Sequence, residues 1–384
     1  MDAIDWLIVI VRVVVVFAAL LITVVLTVWM ERKVAADMQT RIGPNRAGPW
    51  GILISIADGT KLMFKEGITP LDADKPVYWI APIIALVPAV LGFAIIPFGP
   101  GITISGHEVP FQIADLSVGV LWVMAMSSLA VYGVVLAGWS SGSRYPLLGS
   151  IRSTAQMISY EVGMGLALVA VLMYAGTLSM SAIVEGQAGF LHPTVAGITL
   201  PIPKWNIIPQ FPAFLIYVIA ALAETNRPPF DLAEAESELV AGFHTEYSGM
   251  KFAIFFLAEY LHTVTVASIT VTLFLGGWNG PHIGVLPGIW PLVWFMLKLV
   301  AILYFYMWIR STLPRFRYDR LMAFGWKVLI PTGLVWVLAT GAIIVLPQEV
   351  GKKPLMTGLV VVFGVLLLAM LVWPTKKDRS EVAA

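Results

Sequence analysis

The chain has 384 residues; 59% are hydrophobic, 12% are charged, and the formal net charge is +1. A charged share about half that of a soluble domain and a mean hydropathy of +0.86 exclude a water-soluble globular protein, and no nucleic-acid partner is expected. The absence of cysteine excludes disulfides and thiolate-held iron–sulfur clusters from this chain.

About 20 apolar residues cross the hydrocarbon core as a helix, and such runs are expected near 6–30, 77–98, 118–138, 153–174, 210–225, 252–276, 289–310, 327–346 and 356–374. The expected fold is an all-α polytopic membrane protein, one membrane domain over 1–384 with eight to nine transmembrane helices. The first run does not read as a cleaved signal, because it opens on Asp2 and Asp5 and is too long. Arg12 near its outer end can snorkel to the interface.

The loop 31–76 carries a Gly43-Pro44-Asn45 turn. Ser55, Asp58, Lys61 and Lys65 then recur at steps of 3, 3 and 4 among apolar residues, the pattern of an amphipathic helix lying at the interface. Such a helix either anchors on lipid headgroups or roofs a cavity that an amphiphile enters from the bilayer. In the fourth span Glu161 follows Tyr160, about two turns into a helix that starts near Arg152. It is either bonded to Tyr160, Ser159 or a neighbouring helix, or functional as an intramembrane ionisable group. The segment 175–209, with Glu185, His192 and four prolines, reads as an external connector without chemistry.

Between Ala223 and Tyr260 lie seven carboxylates, Glu224, Asp231, Glu234, Glu236, Glu238, Glu246 and Glu259, opposed only by Arg227 and Lys251. Pro228-Pro229 ends the helix holding Glu224, and Asp231 can cap the next one. Glu234 and Glu238 then share a face, with Glu236 roughly opposite; like charges at that spacing repel and raise one another's pKa. The run is either a solvated acidic loop or a folded, water-containing chamber, which the apolar Phe230, Leu232, Leu239, Val240 and Phe243 favour. Glu259 lies inside the sixth span beside Tyr260. Charge handling, most simply of protons, follows from so many carboxylates near hydrocarbon.

Lys298 is mid-span, where an ammonium pairs with a carboxylate or joins a proton path. The loop 310–327 holds Arg310, Arg315, Arg317, Arg320 and Lys327. They serve as ion-pair partners and topology signals, or as a contact surface for a peripheral subunit; Arg310, nearest the membrane, is expected to face a cavity. The five histidines show no metal- or haem-binding spacing. Alternate loops hold 16 and 3 of the 24 Lys and Arg, so the positive-inside rule places the N-terminus outside and the loops 31–76, 139–152, 226–251 and 310–327 inside.

The segments ERK…QTRIGPNRAGPWG, AQMISYEV, AETNRPPFDLAEAESELVAGFHTEYSG, FFLAEY and RSTLPRFRYDRLM occur in order between about residues 25 and 345. In them the chain resembles the quinone-site membrane subunit of respiratory complex I, called the H subunit in bacteria and the first subunit in mitochondria. The resemblance implies a membrane subunit of a proton-pumping NADH:quinone oxidoreductase in the bacterial plasma membrane. Quinone, ubiquinone or menaquinone, is its substrate and enters from the bilayer lipid; FMN and iron–sulfur clusters are expected in partner subunits, and none in this chain. The implied partners are the peripheral-arm quinone-site and iron–sulfur subunits, small membrane subunits and antiporter-like subunits. On the family pattern Arg32, Arg41, Arg46, Asp58, Lys61 and Lys65 line or support the quinone chamber, with 31–76 as its loop, and Arg310, from its place beside the membrane, is expected to face that chamber too. Glu161, Glu224 and Glu259 fall on an acidic path into the membrane arm, and Asp231, Glu234, Glu236, Glu238 and Glu246 on the acidic loop, 224–251. Ile54, Ala235, His262 and Arg320 depart from the family's common residues. Two other functions fit the acidic stretch: a homologous component of a membrane-bound hydrogenase or of a dehydrogenase with another electron donor, and a self-contained proton or cation transporter.

Overall fold

A computed structural model describes residues 3–104, 107–191, 194–195, 198–199, 202–231, 240–281 and 288–350. The expected span at 356–374, and Glu234, Glu236, Glu238, His192 and His282, lie outside the described residues.

The described chain is helical apart from three small antiparallel hairpin pairings. In chain order come α1 (Ala3–Met38), α2 (Ile54–Phe64), α3 (Lys75–Phe93), α4 (Gly119–Ser140), α5 (Arg144–Ala175), α6 (Met180–Gly186) and α7 (Phe211–Glu224). They are followed by α8 (Met250–Phe274), α9 (Trp290–Thr312), α10 (Tyr318–Phe324) and α11 (Ile330–Val350). A π-turn over Gly325–Leu329 joins α10 to α11, so that Tyr318–Val345 acts as one long apolar helix. Strand β1 (Ile102–Ile104) pairs with β2 (His107–Val109), β3 (Phe190–Leu191) with β6 (Ile202–Pro203), and β4 (Thr194–Val195) with β5 (Ile198–Thr199).

Seven described helices are long and apolar enough to cross a membrane, and α7 is a shorter apolar helix. Together they occupy the first eight expected spans. The fourth differs in where it begins. It starts at Arg144 after the extended Ser143 rather than near Arg152, because Pro146 falls in the first turn, where a missing N–H leaves no helical bond unmade. Glu161 is therefore about five turns into α5 rather than two.

Apolar burial does not drive helix association in lipid; close packing of small residues does. A Cβ at Gly133 of α4 would lie 2.7 Å from the Ala85 nitrogen of α3, so the two helices meet at backbone distance. Of the long helices α8 is the most buried and α1 the least. The polar side chains of α8 are compatible with that position because Thr265, Ser268, Thr270 and Thr272 each donate to the carbonyl four residues earlier. Thus α8 is a central pillar, and the carboxylates on it and around it define the site.

Candidate functional site

α1 runs for 36 residues, about 54 Å at helical rise, which is longer than the roughly 30 Å hydrocarbon core. Its last turns carry Glu31 and Arg32 past the apolar stretch. Glu31 then meets residues from three other elements. Its Oε2 accepts from the Tyr260 hydroxyl at 2.7 Å. Its Oε1 pairs with Arg310 and lies 3.7 Å from Arg227 Nη1. Arg227 Nε in turn bonds Glu259 Oε1 at 2.8 Å, and its guanidinium stacks 4.2 Å over the Tyr260 ring. Two carboxylates and two guanidinium groups therefore neutralise one another, the condition on which buried charges persist.

Local structure puts Arg227 there. α7 stops at Glu224, Asn226 takes φ 51, and the chain turns sharply. The fully buried Gln156 of α5 braces that turn, its Nε2 donating to the carbonyls of Ala223 at 2.7 Å and Phe230 at 2.6 Å.

A second group lies deeper. Ser127 and Ser128 follow one another on α4 and point about 100° apart. Ser127 donates to Glu224 Oε1 and Ser128 to Glu161 Oε1. His262 Nε2 approaches Glu224 Oε1 at 3.4 Å. Among the described residues, Glu224 Oε2 and His262 Nε2 are buried without a hydrogen-bond partner.

Small cavities lie beside both groups and share lining residues. One of about 30 Å³ is lined by Glu31, Thr225, Arg227, Tyr260 and Arg310. Another of about 70 Å³ is lined by Thr225, Asn226, His244, Glu259, Glu224 and His262. A third of about 20 Å³ shares Glu224 and His262 with the second and adds Ser127 and Tyr217. Each exceeds the 10–15 Å³ or so that a water needs. A larger void of about 450 Å³, between the ends of α5 and α6 and the segment 204–209, has Lys204 as its charged lining group and touches none of these carboxylates.

The remaining expected residues fall as follows. Arg32 pairs with Asp58 at 2.6 Å, tying α1 to α2. Arg41, Arg46, Lys61 and Lys65 are exposed, the last two on and at the end of α2, which buries no side chain fully. Asp231 faces Arg315 at 3.3 Å; the helix it is expected to cap falls on undescribed residues. Glu246 is half-buried, and its carbonyl accepts from the Tyr78 hydroxyl. The partners of Lys298 among the described residues are carbonyls rather than a carboxylate: its ammonium donates to those of Leu275, Gly277 and Asn279 at 2.7–2.9 Å and lies over Trp205. His244 is buried against Phe243 and Phe252; burial lowers its pKa from 6.5 to about 4.

Glu31, Ser127 and Ser128 are site residues that sequence reasoning does not single out, and Arg227 and His262 enter it only as a cation opposing the acidic run and as a departure from the family's common residues. His262 has a usable signal, since it lies one helical turn after Glu259. The serines and Glu31 have none, because each acts through a residue far away in the chain.

The chain matches the NADH dehydrogenase family over residues 11–341. It belongs to that family. It is 55% identical over 374 residues to the H subunit of the NADH-quinone oxidoreductase of Frankia casuarinae, covering 96% of this chain and 80% of that protein. To the corresponding H subunit of Frankia alni it is 54% identical over the same shares. The match to the NADH dehydrogenase family spans all the carboxylates described above, and the long apolar helices make this member a multi-pass membrane protein.

Proposed function

We propose that the chain is the membrane subunit of a proton-pumping NADH:quinone oxidoreductase. It forms the entrance and the membrane half of the quinone chamber, and it couples quinone reduction to proton movement through buried carboxylates. Membership in the NADH dehydrogenase family, with relatives named as the H subunit of NADH-quinone oxidoreductase, supports the assignment to that complex.

The observation that carries the mechanism is the run of small cavities from the Glu31–Arg227–Glu259–Arg310 cluster to Glu224 and His262. Quinone reduction consumes two protons and changes the charge of the chamber. The cluster is neutral overall, so a change in charge beside it redistributes its ion pairs. Glu259 sits at once in the Arg227 pair and on the wall of the cavity that reaches Glu224. Loss of its pairing therefore passes directly to the deeper carboxylates, and Glu161 continues the path through Ser128. Arg32, Asp58, Lys61, Lys65, Arg41 and Arg46 form the charged inner face of the entrance. Asp231 and Glu246 flank the chamber, and Glu234, Glu236 and Glu238 are assigned to the same acidic loop on the family pattern. Flavin and iron–sulfur clusters belong to the peripheral-arm partners, antiporter-like subunits receive the signal, and the location is the bacterial plasma membrane.

Glu224→Gln and Glu259→Gln test this in the assembled complex. Each is expected to lower quinone-dependent NADH oxidation and proton pumping by about tenfold or more, with NADH oxidation by an acceptor that bypasses quinone unchanged. Wild-type coupled rates in both variants would sink the proposed role.

A further inference from the structure

His262 lines two of the cavities at once. It lies with Glu224, Ala89 and Ala130 on the wall shared by the 70 Å³ and 20 Å³ voids, and the pair supplies the titratable groups of that wall. The Glu224 side chain is 1% exposed and that of His262 15%. The charged and titratable groups facing His262 come from four places. α7 contributes Glu224 and the Tyr217 hydroxyl, and α5 contributes Glu161, which lies within electrostatic range of both Glu224 and His262. Its own helix contributes Glu259, one turn earlier, and the segment 242–244 contributes His244. α3 and α4 present only uncharged side chains to the two voids, among them Ala89, Gly92, Ser127 and Ala130.

From this placement we infer that His262 is a proton-exchanging partner of Glu224, and that a proton crosses between the two cavities as a shift within the imidazole–carboxylate pair. The inference rests on the proton-coupling function proposed above. The step balances without an added reactant. The Nε2–H bond of the imidazolium breaks, a bond from that proton to Glu224 Oε1 forms, and a neutral imidazole and a neutral carboxylic acid remain. The pair has zero net charge before and after. Moving an isolated charge through an apolar site is costly, and a transfer internal to a neutral pair avoids that cost. The imidazole regains a proton from the cavity that Glu259 lines, and Glu224 releases its own towards the Ser127 side. Ser127 orients Glu224 by donating to Oε1, the oxygen that His262 faces.

The test uses the whole complex carrying His262→Gln, with Glu224→Gln and Glu259→Gln alongside. Glutamine keeps an amide nitrogen within reach of Glu224 but does not titrate. Quinone-dependent NADH oxidation and proton pumping are followed across pH, and NADH oxidation by a bypassing acceptor reports assembly. The expected result is an approximately tenfold loss of coupled turnover, loss of one titrating limb from the pH profile, and a double variant with Glu224→Gln no slower than Glu224→Gln alone. A His262→Gln complex with the wild-type rate and profile, beside an impaired Glu224→Gln, overturns the inference and leaves the proposed function standing. A uniform loss at every pH, with the profile unchanged in shape, also overturns it and makes His262 a packing residue. Unimpaired Glu224→Gln and Glu259→Gln complexes bring down the proposed function first. If His262→Gln fails to assemble, the smaller His262→Asn is subjected to the same comparison.

Discussion

Arg227 holds the upper site together, because it touches Glu31, Glu259 and the Tyr260 ring at once. The two carboxylates beside it are not equivalent. Removing the charge of Glu259 leaves Arg227 facing Glu31, so the cluster keeps most of its compensation. Removing that of Glu31 takes a carboxylate partner from Arg310 and loosens Arg227 and Tyr260 together. Breaking a buried ion pair on one side costs roughly 3–5 kcal/mol. Glu31→Gln is therefore expected to lower the melting temperature and yield of the purified complex, whereas Glu259→Gln leaves both near wild type and loses coupling. Equal melting temperatures for the two variants would contradict this division of roles. The asymmetry is out of reach of one sequence. Glu224 and Glu259 stand out as carboxylates in apolar runs, but Glu31 sits in a charged ERK triplet that reads as an ordinary helix end. Its partners are about 200 and 280 positions away, a separation that composition and spacing do not bridge.

At the scale of elements, hydropathy locates the first eight spans because lipid demands about 20 apolar residues per crossing, and that signal is local. The start of α5 escapes it because Ser-Gly-Ser-Arg-Tyr-Pro reads as a loop, although the first turn of a helix accepts proline. The chain from Val240 to Gly249 shows how a loop becomes part of the packed structure. Gly149 of α5 leaves no room for a Cβ, which would lie 2.8 Å from the Gly242 Cα. Gly242 itself takes φ 59, a left-handed value that favours glycine. The close approach buries His244 against two phenylalanines and on the wall of the 70 Å³ cavity. The folded-state pKa is depressed from 6.5 to about 4, so the segment is fully stable above pH 6.5 and loses stability as pH falls from there towards 4. The loss amounts to at most about 3 kcal/mol. Limited proteolysis or hydrogen exchange of residues 240–249 is expected to increase over that interval in wild type. His244→Phe should flatten the response, and an unchanged acid response in that variant would assign it to other groups.

For the whole molecule, the arrangement acquires a direction only once the membrane sides are known. The cluster at Glu31, the charged face of α2 and the basic loop 310–327 gather at one end. The hairpins β1–β2 and β3–β6 fall in loops that carry almost no Lys or Arg. The positive-inside rule predicts a cytoplasmic charged end, and the proposed function requires that side, because a soluble electron-transfer arm would dock there for its electrons to meet quinone. Because the chain has no cysteine, single introduced thiols report its topology without background from the chain itself. Gly59 on α2 and Gly186 at the end of α6 are suited to this, since a Cβ at either meets nothing within 4 Å. With a membrane-impermeant maleimide, Gly186→Cys is expected to label on intact cells from which any outer barrier has been removed. Gly59→Cys should label only after the membrane is opened. The opposite pattern would turn the molecule over, put the chamber entrance on the outer side and make docking with a cytoplasmic NADH-oxidising arm impossible. The same two thiols therefore test the orientation and the mechanism that depends on it.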